Sequence, residues 1–219
     1  MSESERLCSK LLSRLKDIGS AAVALSGGVD SCFLAYAASR IEGGNFAAYY
    51  VQSAFQPEFE LEDAKRLCAQ LGAELYIIEL DALTNPDVVK NPPNRCYYCK
   101  KVVFSSIAQA ALADGYTVLL DGTNASDDAG DRPGMRALTE MSVLSPLRLC
   151  GLTKAQIREF SREAGLFTWD KPAYACLATR VPTGEAITEA LLARVEGAEQ
   201  VLFSLGFTDF RVRVFYDAA

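Results

Sequence analysis

Ser26-Gly27-Gly28-Val29-Asp30-Ser31 joins an apolar run over 21–25 to a helical pattern over 32–40, and its residue types suit the holding of phosphate. Paired glycines let backbone approach an anion closely and the serines offer hydroxyls. A helix starting behind them aims free N–H groups and its positive end at the ligand. No Gly-Lys-Ser/Thr follows, which excludes a Walker A loop, and the dinucleotide fingerprint Gly-x-Gly-x-x-Gly is absent. Asp30, standing where Walker A carries its lysine, suits a pyrophosphate leaving group bound to Mg2+. The second signal is Arg95-Cys96-Tyr97-Tyr98-Cys99-Lys100, whose C-x-x-C spacing brings two sulfurs to one ion or one redox pair. A zinc site would normally need four ligands, and the chain has neither a second C-x-x-C nor any histidine. Cys176 is the third sulfur, and three thiolates can hold a [4Fe-4S] cluster with one iron left open for substrate or sulfide. The plainer alternative makes Cys96 and Cys99 half-buried helix-start residues and Cys176 a small buried hydrophobe. Cys8, Cys32, Cys68 and Cys150 sit in apolar patterns and read as packing residues.

Positioning these groups requires alternating strands and helices. Leu7, Leu11, Leu12, Leu15 and Ile18 recur at helical spacing. Strand patterns follow over 21–25, 46–51, 74–79 and 117–120, with helices expected over 29–41, 58–71 and 97–113. Such order predicts an α/β fold, a parallel sheet with helices on both faces and ligands at the C-terminal strand ends. Thr153-Lys154-Ala155-Gln156 has capping-box spacing and predicts a further helix running to about Ala164, ended by Gly165. After Trp169, itself readable as a lid or as packing, the character changes: loop signals over 168–184, a helical pattern over 188–205 and a period-2 alternation over 210–215. A small α+β C-terminal subdomain over 168–219 is expected beside a larger domain over 1–167.

Half of the 219 residues are hydrophobic, enough for one sizeable core. No apolar run reaches membrane-spanning length, and residues 1–16 lack a signal-type apolar centre, which points to the cytoplasm. Seven cysteines, an odd number, suit a reducing compartment. A net charge of −6 gives no general pull toward nucleic acid, which favours a small-molecule partner. Without histidine, proton transfer and metal binding fall to Asp, Glu, Cys, Lys, Tyr or substrate groups.

The pattern SGGVDS resembles the PP-loop of the N-type ATP pyrophosphatases, which cleave ATP between the α- and β-phosphates and leave AMP on a substrate oxygen. Over nearly the whole chain the resemblance narrows to one family. NPPNRCYYCK (91–100), DGTNASDDAGDRPG (121–134), SPLRLCGLTKAQIR (145–158) and DKPAYACLATRVPTG (170–184) are similar in order and spacing to the LarE-type ATP-dependent sacrificial sulfur transferases of nickel-pincer nucleotide cofactor synthesis. That resemblance implies a PP-loop domain of adenine nucleotide α-hydrolase type, a smaller second domain and assembly into homohexamers. It implies conversion of pyridinium-3,5-biscarboxylic acid mononucleotide to its bis-thiocarboxylic form through acyl-adenylates. Members usually continue well beyond the position of Phe215, so further chain is expected.

Carried over residue by residue, Ser26, Gly27, Gly28, Asp30 and Ser31 hold pyrophosphate, with Asp30 on Mg2+. Residues 122–127 resemble a strand-end motif of NAD synthetases, making Asp127 the second Mg2+ ligand; Asp121, Asn124, Asp127 and Asp128 also read as plain loop formers. Arg211 and Arg213, two apart on an expected strand, share a face and line a substrate-phosphate pocket, with Glu199 to steady it or to bind a cation and Arg180 close by. The alternative there is a solvent-facing basic strand. With all three cysteines present, Cys96, Cys99 and Cys176 are expected to hold a [4Fe-4S] cluster, while sacrifice of the Cys176 sulfur is the runner-up. A tRNA-thiolating enzyme would need a broad basic surface or an added RNA-binding domain, which this acidic chain does not offer.

Overall fold

The expected alternation folds into a four-stranded parallel sheet in the order β3-β2-β1-β4. The computed structural model describes residues 3–127 and 133–215, so Asp128 lies outside the described residues. The elements are α1 (Glu3–Ile18), β1 (Ser20–Ala24), α2 (Val29–Ser39), β2 (Asn45–Gln52), α3 (Glu58–Leu71), β3 (Leu75–Glu79), α4 (Pro86–Val89) and α5 (Arg95–Ala113). They continue with β4 (Leu119–Leu120), α6 (Pro133–Glu140), α7 (Pro146–Cys150), α8 (Lys154–Glu163) and α9 (Glu189–Ser204). Single 3-10 turns occupy Ala82–Thr84 and Leu177–Arg180. Leu144 extends the sheet past β4 by one parallel bridge to Leu120.

Strand periodicity explains the layering. Val23 of β1 and Ala48 and Tyr50 of β2 face a core shared with Phe33, Leu67 and Ile157 of α2, α3 and α8. Their neighbours Ala22, Ala47, Tyr49 and Val51 face the other way, onto Phe104 and Ile107 of α5 and Leu138 of α6. Both faces of the sheet are therefore covered, as a parallel sheet requires. A third cluster gathers Phe55, Val88, Leu177, Ile187, Leu192, Val195 and Val214, and so packs the chain after 176 against the β2–α3 connection and α4.

Several boundaries differ from expectation for local reasons. The helix α5 begins at Arg95, not Tyr97, so the C-x-x-C lies within its first two turns. At the end of α2, Arg40 and Ile41 turn more tightly, their N–H groups donating to the Ala37 and Ala38 carbonyls. The strand expected over 210–215 makes no strand ladder over 210–214. Its alternation in exposure is real, with Val214 buried and Arg211 and Arg213 exposed, but the inward N–H groups are spent elsewhere. Val212 N–H donates to the Glu199 carboxylate at 2.9 Å and Val214 N–H to the Arg180 carbonyl at 2.9 Å. At α8 the expected capping box forms, Thr153 N–H donating to Gln156 Oε1 at 3.0 Å while Gln156 N–H donates to Thr153 Oγ1.

Candidate functional site

The segment 26–31 sits at the C-terminal end of β1 and turns into α2, whose N-cap Gly28 offers no side-chain cap. Ser31 organises the turn: its Oγ accepts Ser26 N–H at 3.1 Å, donates to the Gly28 carbonyl at 3.1 Å and lies 3.0 Å from Ser26 Oγ. Gly27 has φ +73°, and a Cβ there would stand 2.7 Å from the Glu60 carbonyl oxygen, so only glycine lets this loop pack on α3. At Gly122, beyond β4, a Cβ would likewise stand 2.7 Å from the Ser31 nitrogen. Neighbouring strand ends thus build one cleft, a cavity of about 520 Å3 lined by Ser26, Gly28, Asp30, Ser31, Gly122 and Asp127.

Inside it Asp30 is only half satisfied. Its Oδ2 takes the Lys154 ammonium at 2.5 Å, whereas its Oδ1 is buried with no hydrogen-bond partner among the described residues. Burial raises the Asp30 carboxyl above the usual range, the nearby Asp127 charge adds to this, and Lys154 opposes it. Asp127 accepts the Asn124 N–H at 2.9 Å and its carbonyl accepts Arg148 at 3.0 Å. Asp121 is held by the hydroxyls of Thr123 and Ser145 at 2.5 and 2.6 Å, a loop-forming role. Among the described residues no group of three or more Cys, Asp or Glu side chains gathers as a complete metal site. The orphaned oxygen of Asp30 and the adjacent carboxylate of Asp127 nevertheless fit a Mg2+ ion, which usually takes one or two carboxylates and completes its shell with phosphate oxygens and water.

The three cysteines come together around Arg95, although not at ligating distance from one another. Arg95, buried at the start of α5, directs its guanidinium to Cys176 Sγ at 3.9 and 4.0 Å, and Cys96 and Cys99 share its electrostatic surroundings. Cys96 and Cys99 lie one turn apart on one face of α5, Cys96 exposed and Cys99 partly buried. Burial, with Cys176 close by, pushes the Cys99 thiol up to about 12. Three sulfurs beside one buried cation form a donor set of the type an iron–sulfur cluster takes.

Arg180 and Glu199 are both 1% exposed and face each other, Nε to Oε1 at 2.9 Å and NH2 to Oε2 at 3.2 Å. The Tyr174 hydroxyl closes on Glu199 Oε2. Burial alone would raise Glu199, but the bonds from Arg180, Tyr174 and Val212 N–H outweigh it and hold the carboxyl below its ordinary value. This pair braces the chain that carries Arg211 and Arg213, whose side chains are exposed; Arg211 donates to the Ala173 carbonyl at 3.0 Å. A smaller cavity of about 280 Å3 connects the two regions, with Ser26, Asp30, Glu60, Lys154, Lys171 and Cys176 on its wall.

Lys154, Lys171, Arg95 and Glu60 were not singled out from sequence as site residues. Lys154 was visible as part of a capping box and of the segment 145–158, and Glu60 only as a position in a helical pattern. Burial raises the Glu60 carboxyl to about 7, with Asp63 adding to the effect and Lys171 and Arg180 opposing it.

Known proteins share the sequence pattern and the fold of this chain. Residues 9–127 match the family model described as asparagine synthase. The chain is 34% identical over 210 residues to pyridinium-3,5-bisthiocarboxylic acid mononucleotide synthase of Lactiplantibacillus plantarum, covering 95% of this chain and 76% of that one. It is 39% identical over 198 residues to an uncharacterised protein of Synechocystis, covering 90% and 74%. The solved structure of NMN synthetase from Francisella tularensis superposes with a TM-score of 0.59 over 93% of each chain at 17% identity, a likeness of fold alone.

Proposed function

The chain belongs to the LarE-type family of PP-loop enzymes, and we propose that it adenylates the carboxylates of pyridinium-3,5-biscarboxylic acid mononucleotide and replaces each AMP by sulfur, giving thiocarboxylates. The observation that carries this reading is the shared cavity of about 280 Å3, which sets Ser26 and Asp30 of the phosphate loop and Cys176 on one wall. Activation and sulfur delivery must share one space, because an acyl-adenylate is lost to water if it has to travel.

A carboxylate resists nucleophiles because of its own charge. Attack of its oxygen on the α-phosphorus of ATP breaks the bond to pyrophosphate and leaves a mixed anhydride, so sulfur can add to the carbonyl carbon and AMP can leave. Backbone N–H groups of the 26–31 loop and the Ser26 and Ser31 hydroxyls would hold the departing pyrophosphate. Asp30 and Asp127 would hold Mg2+, which when bound supplies neutralisation of the phosphate charge. Lys154, now paired with Asp30, is placed to turn to the phosphates once Asp30 has a metal to bind. Exposed Arg211 and Arg213 would take the mononucleotide phosphate, braced from inside by Arg180 and Glu199. Cys96, Cys99 and Cys176 would hold a [4Fe-4S] cluster, which when bound supplies sulfide at an open iron without consuming the protein's own sulfur.

A second reading has its own support. The Arg95 guanidinium donates toward Cys176 Sγ, and no ligating group of three is gathered among the described residues, which favours Cys176 as the sulfur donor itself. Assembly as a homohexamer in the cytoplasm, with residues 168–219 as the substrate-binding part, completes the proposal; no described helix is long and apolar enough to cross a membrane.

Anaerobic purification followed by iron and sulfide analysis separates the two readings. The expected result is about four irons per chain, lost together with multiple turnover on changing Cys96, Cys99 or Cys176 to Ala, while ATP-dependent pyrophosphate release persists in all three. Iron-free wild-type protein that thiolates once per chain and loses mass at Cys176 would replace the cluster by sacrifice of that residue.

A further inference from the structure

Lys171 stands five residues before Cys176 and yet bonds to the phosphate loop. Its ammonium donates to the Gly27 carbonyl at 2.9 Å and to Asp63 Oδ2 of α3 at 2.5 Å, and it lies 5.0 Å from the centre of the Phe59 ring. Two of the three N–H bonds of the ammonium are thus spent on the protein, and the Phe59 ring lies beside it. Its side chain is 15% exposed. The backbone around it is fixed as well: Arg158 of α8 donates to the Trp169 carbonyl at 2.7 Å and to the Lys171 carbonyl at 2.6 Å.

The consequence lies in the Gly27–Gly28 peptide. Carbonyl and N–H of a trans peptide point in opposite directions, so drawing the Gly27 oxygen to Lys171 turns the Gly28 N–H away from it. Gly28 lines the larger cleft, and its N–H has no acceptor among the described residues. The α3 backbone packs beside Gly27, where an added Cβ would stand 2.7 Å from the Glu60 carbonyl oxygen. An ammonium on the carbonyl end also polarises the peptide and strengthens its N–H as a donor to an anion.

We infer that Lys171 is a positioning residue of the nucleotide site, holding the Gly27–Gly28 peptide so that the Gly28 N–H meets pyrophosphate, and tying the segment that carries Cys176 to the loop that takes ATP. Occupation of the loop and placement of Cys176 are then parts of one rigid arrangement running through residues 171–176. The inference rests on ATP use alone and not on the identity of the sulfur acceptor. Protein that binds pyrophosphate but never thiolates would defeat the sulfur-transfer reading and leave this one intact.

The test uses calorimetric binding of inorganic pyrophosphate with Mg2+, and of MgATP, to the full chain. Lys171→Met should weaken both about tenfold while melting within a few degrees of wild type. Lys171→Arg, which keeps charge and donor, should stay within about threefold, and Lys171→Gln should fall between. Pyrophosphate affinity unchanged in Lys171→Met, or as weak in Lys171→Arg as in Lys171→Met, would overturn the inference. Should the neutral variants not fold, the wild-type amide spectrum decides: the Gly28 N–H resonance should move strongly on adding pyrophosphate, and an unmoved one overturns the assignment.

Discussion

At the end of β1 the groups proposed to hold pyrophosphate are backbone N–H groups, two glycines and two hydroxyls within six consecutive residues, whereas the groups around Cys176 come from positions 95, 96, 99, 180 and 199 on two helices and a 3-10 turn. The first region is organised by short internal bonds such as Ser26 to Ser31, and the strand, turn and helix that make it are neighbours in the chain. The second is organised by buried charge, Arg95 beside the sulfurs and Arg180 locked to Glu199. A phosphate cradle can be finished by local folding because its donors are main-chain groups. A sulfur site gathered from distant positions is fixed only when the tertiary structure closes, and it needs buried cations to hold it.

The comparison breaks most decisively at Arg180. Replacing it by Met leaves the Glu199 carboxylate buried with only Tyr174 and Val212 N–H as partners, and stripping one partner from a buried pair costs about 3 to 5 kcal/mol. Urea unfolding should show that loss in Arg180→Met, with much of it recovered in the Arg180→Met and Glu199→Met double variant, because no lone charge then remains. A single variant as stable as wild type would mean that the pair does not anchor this region.

The phosphate loop should answer through chemistry instead. In Asp30→Asn the Lys154 ammonium keeps an oxygen to bond, and the burial that raises the Asp30 carboxyl no longer opposes folding, so stability should change by less than about 1 kcal/mol. ATP-dependent pyrophosphate release should fall about 100- to 1,000-fold, roughly 3 to 4 kcal/mol of barrier, as expected when a charge acting on the transition state is removed. Release at the wild-type rate would take Asp30 out of the metal site.

How much of this was legible in the sequence follows the same division. Period-2 and period-3.6 patterns placed all four strands and the helices expected over 29–41 and 58–71, since each records burial by nearby elements, and capping-box spacing at Thr153 placed the helix that follows it. The loop over 26–31 was legible because its six residues act together. The partners of Lys154, Lys171 and Arg95 lie 124, 144 and 81 positions away, and no local pattern marks such bonds. Residues 210–215 show the same limit in another form: alternation reported correctly which side chains turn inward, but not that Glu199 and the Arg180 carbonyl would take the N–H groups a strand partner would have taken. Arg180 and Glu199 were recognised by type, yet their complete burial was not visible.

Glu60 sits where the two regions meet, on the wall it shares with Asp30 and Cys176, and it gives the smallest and most discriminating effect. Burial first, then the Asp63 charge, raises its carboxyl from 4.5 to about 7, while Lys171 and Arg180 pull the other way. Between those two values the unfolded chain has released this proton and the folded chain still holds it. Stability from this group is therefore full below about pH 4.5 and is lost as pH rises through about 7, a change of roughly 3 kcal/mol. Glu60→Gln imitates the protonated carboxyl at every pH. Near pH 5 its unfolding free energy should approach that of wild type, and at pH 8 it should exceed it by that amount. A difference that stays constant from pH 5 to pH 8 would mean that Glu60 is ionised throughout, held charged by Lys171 and Arg180. The cations assigned to the phosphate loop and to the sulfur region would then act on one carboxylate between them, and the two regions would be a single electrostatic unit.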